Sequence, residues 1–414
     1  MDIYEERESA VRSYCRKFPA VFSKAKNAEL YDENGKRYID FLAVAGSMNY
    51  GHNNTEIKEA IMSYLSEDNI VNALDLHTEA KGEFLSSFYD RILKPSSLDY
   101  KIMCCGPTGT NGVEAALKLA RLNTGRSNVI AFSGAFHGMS IGSLSMTTDL
   151  VSRRGAGIPL QNVTFVPYSG EFNSIEYIEW MMKDDHSGIE RPAAIVLETV
   201  QAEGGINIAS VEWLRKIRQI CDTYGILLIC DDIQVGCGRT GHFFSFERAG
   251  IVPDLVVLSK SISGFGIPMT ILLIKPEYDI FKPAEHNGTF RGHQLAFVGA
   301  SAATKYYVEH NVDRMVSESE ELIRNYMNDE IKPIHPDIEI RGLGMLWGID
   351  MHALDPALAL KVSHRCYEKG LIAEVCGRRD GVVKIIPPLT IEQEVLIEGL
   401  DIMKESLKEI LCTY

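Results

Sequence analysis

Three features in the middle of the chain could do chemistry, and each directly follows an apolar run. Lys260 stands in Val257-Leu-Ser-Lys-Ser-Ile-Ser-Gly264, where every neighbour is apolar or small. Lysines are ordinarily surface charges. One that projects from the end of a buried strand into a Ser/Gly loop is in the setting where an amine loses its proton and attacks a carbonyl. Asp231-Asp232 closes the run Ile226-Leu-Leu-Ile-Cys230. An acid there can touch a ligand, and it can equally cap the next turn or face solvent. The third feature is Gly106-Pro-Thr-Gly-Thr-Asn-Gly112. Its glycines admit close backbone approach, free N–H groups at a helix start attract an anion, and Thr108 or Thr110 could add hydroxyls. It is neither a Walker A loop nor G-x-G-x-x-G, and an ordinary strand-to-helix turn fits it as well. The order is more telling than any one of them: an anion cup, an acid, then a lysine, each after its own strand.

The elements that must position these groups are legible from periodicity. Strands are expected at Ile102–Cys105, Asn128–Phe132, Val163–Val166, Ala194–Leu197, Ile226–Cys230, Leu255–Leu258 and Met269–Ile274. A helix over Asn111–Arg121 places Val113, Ala116, Leu117 and Ala120 on one face. A second runs from Val211 to Tyr224, with Ser210 as N-cap and Gly225 just past its end. Such alternation predicts an α/β domain built on a mostly parallel sheet, with the ligand site at the strand carboxyl ends. Residues 27–50 read as a β-meander turning at Asp32-Glu-Asn-Gly35. Beyond about residue 310, a helix over Glu318–Met327, short strands and Pro387-Pro388 suggest a smaller domain. The expected division is 1–55 and 310–414 for the small domain and 56–309 for the large one.

Composition narrows the classes. The 414 residues are 45% hydrophobic and 24% charged, with a net charge of -14 and no basic stripe. That balance argues against nucleic acid and anionic membrane as partners. No run approaches the roughly 18 apolar residues of a membrane span, and Met1-Asp-Ile-Tyr-Glu-Glu-Arg-Glu lacks an apolar signal core. The nine cysteines, an odd number, sit partly inside apolar runs without zinc-site spacing. Buried thiols in a reducing compartment are expected, and with them a soluble cytoplasmic protein without a metal.

Taken together, the motifs resemble the class III (ω-amino) aminotransferases of pyridoxal-phosphate (PLP) fold type I. The resemblance spans about Leu30 to Leu389. It rests on Leu30-Tyr-Asp-Glu-Asn-Gly35, Tyr38-Ile-Asp-Phe41, Gly106-Pro-Thr-Gly-Thr110 with Glu114, Phe136-His-Gly138, Glu198-Thr-Val-Gln-Ala-Glu-Gly-Gly205, Asp231-Asp-Ile-Gln-Val-Gly-Cys-Gly-Arg-Thr-Gly241, Pro253-Asp-Leu-Val-Val-Leu-Ser-Lys260 and Gly288-Thr-Phe-Arg-Gly292. It implies a large domain with a mostly parallel sheet flanked by helices, plus a small α+β domain. It also implies that Gly109 and Thr110 bind the cofactor phosphate, Phe136 stacks on the pyridine ring, Asp231 pairs with the ring nitrogen and Gln234 lies near the ring hydroxyl. Lys260 is implied as Schiff-base residue and proton shuttle. His137 supports the cofactor site or is a satisfied structural histidine, while Glu198 and Arg239 are implied to be structural. Thr289 is implied to reach the phosphate in a neighbouring subunit, so the resemblance implies a homodimer with shared active sites, pairing into tetramers left open.

Substrate follows from departures within the family. Ornithine- and GABA-type members usually carry Arg just after His-Gly and Arg four residues before the second proline of Pro-Pro-Leu. Here these positions hold Met139 and Lys384, and Lys does not reproduce bidentate carboxylate recognition. Arg12-Ser-Tyr-Cys-Arg-Lys-Phe-Pro19, Asn49-Tyr-Gly-His-Asn53, Leu74-Asp-Leu-His-Thr78 and Asn287-Gly-Thr-Phe-Arg-Gly-His293 instead resemble the L-2,4-diaminobutyrate branch of ectoine and siderophore biosynthesis. That resemblance implies ping-pong transfer of an amino group from L-glutamate to L-aspartate 4-semialdehyde. Glu203 and Lys384 are expected to pair, as a substrate-carboxylate gate or as a plain ion pair. Val44, Asn72 and His293 depart from the branch and leave other acceptors open. The alternatives are an ω-aminotransferase of ornithine, lysine, GABA or diamine type, and an amino-aldehyde aminomutase. A cofactor-binding protein that has lost catalysis is disfavoured by the intact surroundings of Asp231 and Lys260.

Overall fold

The computed structural model describes residues 3–412. Its centre is a seven-stranded sheet, formed by β1 (Lys101–Cys104), β2 (Val129–Phe132), β3 (Val163–Val166), β4 (Ala194–Leu197), β5 (Leu227–Asp231), β6 (Leu255–Leu258) and β7 (Ile271–Ile274). The spatial order is β1-β7-β6-β5-β4-β2-β3. Only β7 runs against the rest: it pairs antiparallel with both β6 and β1, and the other pairs are parallel.

Continuous apolar runs form this sheet because β2, β4, β5, β6 and β7 are buried at every position. Alternate residues face opposite sides. Ile130, Phe132, Ile195, Leu197, Leu228 and Cys230 pack with Trp213, Leu214 and Ile217 on one face. Val129, Ala131, Ala194, Val196, Leu227 and Ile229 pack with Val113, Ala116, Leu117 and Ala120 on the other. The helix Val211–Tyr224 has the expected bounds: Ser210 Oγ accepts from Trp213 N at 3.1 Å, and Gly225 closes it at φ 61. The helix after β1 runs from Gly109 to Thr124, starting two residues before the expected Asn111. Asn111 Oδ1 accepts from Thr108 N at 3.2 Å and from Thr108 Oγ1 at 2.9 Å, a cap that brings Gly109 and Thr110 into the first turn.

The two ends of the chain share a sheet. Antiparallel strands Phe22–Lys26, Glu29–Asp32 and Arg37–Asp40 are extended by Leu371–Ile372, which lies parallel to Arg37–Asp40. The meander thus ends at Asp40 and does not continue to residue 50. Asp40 Oδ1 accepts from Leu42 N at 2.9 Å and Ala43 N at 2.8 Å, which turns the chain out of the sheet. Ala43, Val44 and Ala45 then follow with φ of 45, 51 and 54. A further antiparallel sheet holds Glu339–Leu343, Leu346–Asp350, Val382–Ile385 and Glu374–Cys376, in that order. The late amphipathic helix spans Val312–Tyr326, beginning earlier than the expected Glu318.

All nine cysteines are free, six of them buried. Among the described residues, no helix is long and apolar enough to cross a membrane.

Candidate active site

The chemistry-bearing residues meet at the carboxyl ends of the parallel strands. A pocket of about 170 Å³ is lined by Gly109 and Thr110 from the turn after β1, Phe136 and His137 from the loop after β2, Glu198 after β4, Asp231 and Gln234 after β5, and Lys260 after β6. Glu203 closes one side.

The two aspartates separate as strand alternation requires. Asp231, 5% exposed, faces the pocket. Its Oδ2 lies 2.7 Å from His137 Nδ1, and its Oδ1 accepts from Ile233 N at 3.2 Å. Asp232 is fully buried away from the pocket; it accepts from Ser245 N at 3.1 Å and from the Ser245 hydroxyl, and burial pushes its carboxyl up to about 7. His137 itself is buried, with Nε2 unpaired. The imidazole therefore orients the acid that the pocket uses.

Lys260 is held at φ 51, and its Nζ donates to Ala45 O at 2.9 Å. Burial pulls its amine down to about 8, against the opposing pull of the Glu203 carboxylate. Gln234 Nε2 donates to the same Ala45 O at 2.8 Å and to Glu203 Oε1 at 3.0 Å, while its Oε1 is buried without a partner. Glu203 Oε1 also accepts from Lys384 Nζ at 2.6 Å. Burial is the largest influence on the Glu203 carboxyl and raises it, but Lys384, Lys260 and the hydrogen bonds from Lys384 and Gln234 together bring it down to about 2. Lys384 is fully buried; burial alone lowers its amine, and Glu203 and Glu374 more than reverse that.

The remaining expected residues sort clearly. Thr110 Oγ1 lies 2.5 Å from both Ser140 Oγ and Ser143 Oγ at the start of its helix, whereas Thr108 is exposed and serves the cap. Thr289 is exposed on the loop before the helix Gln294–Glu309 and does not line this pocket. Val44, Asn72 and His293 do not line it either. Arg239 is fully buried: it donates to Met345 O at 3.0 Å, to Asn49 Oδ1 at 2.6 Å and to Pro387 O, and burial pulls it down to about 9.

Glu198 was expected to be purely structural, but it lines the pocket. Its Oε2 accepts from Phe136 N at 3.3 Å, and burial, then Asp231, push its carboxyl well above the usual range. Its signal was available: Glu198 directly follows β4 just as Asp231 ends β5. Ala45, whose carbonyl receives both Lys260 and Gln234, carries no such signal.

A strand-end lysine, an acid oriented by histidine and an anion cup on one pocket define a site for carbonyl–amine chemistry, and comparison with known proteins places the chain in a family that performs it. Residues 11–407 match Aminotransferase class-III, and the chain belongs to that family. It is 50% identical, over 100% of its length and 97% of the relative's, to a protein of Halalkalibacterium halodurans named diaminobutyrate–2-oxoglutarate transaminase. A protein of the same name from Sporosarcina pasteurii is 51% identical over 99% of this chain and 97% of its own. The fold is that of PLP fold type I. An ornithine aminotransferase from Toxoplasma gondii superposes with TM-score 0.86 at 25% identity, covering 99% of this chain and 93% of that one. An S-selective transaminase from Arthrobacter gives 0.87 at 21%, covering 98% and 97%.

The protein is a PLP-dependent aminotransferase, and its residues fit that cofactor. Gln234 Oε1 is a buried acceptor lacking a donor, and the ring hydroxyl is one. The first turn after β1 combines free N–H groups with the Thr110 hydroxyl, as a phosphate requires. The cup is also tight: a Cβ on Gly109 would stand 2.8 Å from Ile233 Cδ1.

A lysine attacks a carbonyl as its neutral amine, and burial pulls the Lys260 amine from its ordinary 10.5 down to about 8. The neutral fraction of such a base grows about tenfold per pH unit below that point and saturates above it. Uptake of PLP by apo-protein, followed by its visible absorbance, should therefore accelerate from pH 6.5 to about 8 and then level. A flat or falling profile contradicts this assignment.

Proposed function

We propose that the protein transfers the amino group of L-glutamate to L-aspartate 4-semialdehyde, giving L-2,4-diaminobutyrate and 2-oxoglutarate by a ping-pong route. The observation that carries the substrate is full-length similarity at about half identity to proteins named for that reaction. The buried Lys384 supports it, since it stands where a bidentate carboxylate grip would need arginine.

When bound, PLP supplies an electron sink and carries the amino group between substrates. Asp231, oriented by His137 and Ile233 N–H, presents its carboxylate to hold a proton on the ring nitrogen. Lys260 Nζ, at the end of β6, holds the proton that is moved in each half-reaction. Gln234 Oε1 would accept from the ring hydroxyl, Phe136 would cover a ring face, and Gly109 and Thr110 would hold the phosphate. Glu203 shields Lys384 when no substrate carboxylate is present.

The same reading makes the active form a homodimer. Its support is the family resemblance that assigns Thr289 to a neighbouring subunit, with which its exposure and its absence from the lining of its own pocket agree. The division into 56–309 and the joined segments 1–55 and 310–414 belongs to this reading as well, as does a cytoplasmic place in ectoine- or siderophore-type biosynthesis.

The test is to mix holoenzyme with single amino acids and follow loss of the cofactor's yellow absorbance. L-Glutamate and L-2,4-diaminobutyrate should convert it quickly, with ornithine and GABA roughly 10- to 100-fold slower. Fast conversion by ornithine or GABA would move the assignment to a general ω-aminotransferase. Turnover of the amino-aldehyde without any external 2-oxo acid would make the protein an aminomutase.

A further inference from the structure

In the strand pair Glu374–Cys376 and Val382–Ile385, Glu374 stands directly opposite Lys384. Paired residues share a sheet face, and Glu374 Oε2 lies 3.2 Å from Lys384 Nζ. That contact lacks hydrogen-bond alignment: Oε2 is buried with no hydrogen-bond partner, in a side chain belonging to a residue only 5% exposed. Glu203 meanwhile holds the same amine at 2.6 Å and also accepts from Gln234. Two acids thus face one amine; Glu203 is fully engaged, whereas Glu374, which the Tyr14 hydroxyl also contacts, keeps its Oε2 without a hydrogen bond. Both open onto a cleft of about 750 Å³ that adjoins the pocket at Phe136.

The two substrates carry different groups at the end away from the reacting nitrogen. Glutamate, reacting at its α-amine, presents only a carboxylate at its far end. Diaminobutyrate, reacting at C4, presents an ammonium beside its carboxylate, and so does aspartate 4-semialdehyde. Lys384 suits the carboxylates, while an ammonium requires an acid with unused acceptor capacity. We propose that Glu374 accepts the α-ammonium of L-2,4-diaminobutyrate and of L-aspartate 4-semialdehyde, making it a specificity-determining residue of the acceptor half-reaction. This inference rests on the substrate reading above.

4-Aminobutyrate is diaminobutyrate without the α-ammonium, so comparing the two isolates this contact. Half-reactions of the wild-type, Glu374→Gln and Glu374→Asp holoenzymes would be measured with each compound. The ratio of kcat/KM for diaminobutyrate over 4-aminobutyrate should fall roughly 10- to 100-fold in Glu374→Gln, as for loss of a charge-assisted hydrogen bond. The fall should lie mainly in KM, with Glu374→Asp recovering part of it. An unchanged ratio overturns the inference; if both rates fall together, Glu374 merely holds Lys384. A wild type that ignores diaminobutyrate defeats the substrate assignment and this inference with it, an outcome distinct from a variant that keeps its selectivity.

Discussion

Lys260→Ala should lower the glutamate half-reaction by at least about 10⁴-fold, the combined loss of a covalent anchor and a proton carrier. Lys260 is the one lysine lining the pocket among the described residues. Lys384 is fully buried, does not line the pocket and offers no replacement. The fold should survive, because the Lys260 Nζ makes a single hydrogen bond, to Ala45 O. Gln234 also donates to that carbonyl, so it remains paired. The check is a single-turnover measurement on protein whose circular dichroism and thermal midpoint match wild type. Activity within tenfold of wild type would remove Lys260 from the mechanism.

Asp231→Asn should cost about 10²–10³-fold in the same half-reaction, roughly 3–4 kcal/mol of transition-state stabilisation. The substitution keeps the shape of the side chain and removes its charge, so a neutral amide faces the ring nitrogen in place of a carboxylate. His137 can change tautomer and accept from the amide NH2 at Nδ1, leaving the amide oxygen for Ile233 N, and the local structure should hold. Cofactor should still bind, as read by absorbance and by its release on denaturation, while turnover collapses. A loss below tenfold would mean that this acid shapes the site without setting the charge of the ring. The neighbouring Asp232 provides the contrast: its substitution should act on stability, since both its oxygens are spent on Ser245 inside the core.

How much of this was legible in the sequence depended on whether the determining contact was local. The central strands were, because burial on both faces demands unbroken apolar runs such as Leu255–Leu258. The helix Val211–Tyr224 was, because its cap and its terminating glycine are adjacent in the chain. Lys260 and Asp231 could be found because each ends a strand of a parallel sheet, where ligands collect. The turn at Ala43–Ala45 could not. Neither Ala nor Val favours left-handed backbone; the turn is imposed by Asp40 on one side and by Lys260 and Gln234 from distant segments on the other. Glu374 escaped notice for a similar reason: its meaning comes from its cross-strand neighbour Lys384, and no motif joins them.

The sheet shared by the chain's two ends bears on how the molecule is made. Arg37–Asp40 leaves the ribosome long before its parallel neighbour Leu371–Ile372. At roughly 5–20 residues per second, the nascent chain carries that unpaired edge for on the order of half a minute. An open strand edge is a template for pairing with other chains. Lys384 and Glu374 arrive later still, so the growing polypeptide has a lysine for the cofactor well before it has a site that can choose a substrate. Chaperone demand during synthesis, and sensitivity to any truncation that removes Leu371–Ile372, are thus built into the topology.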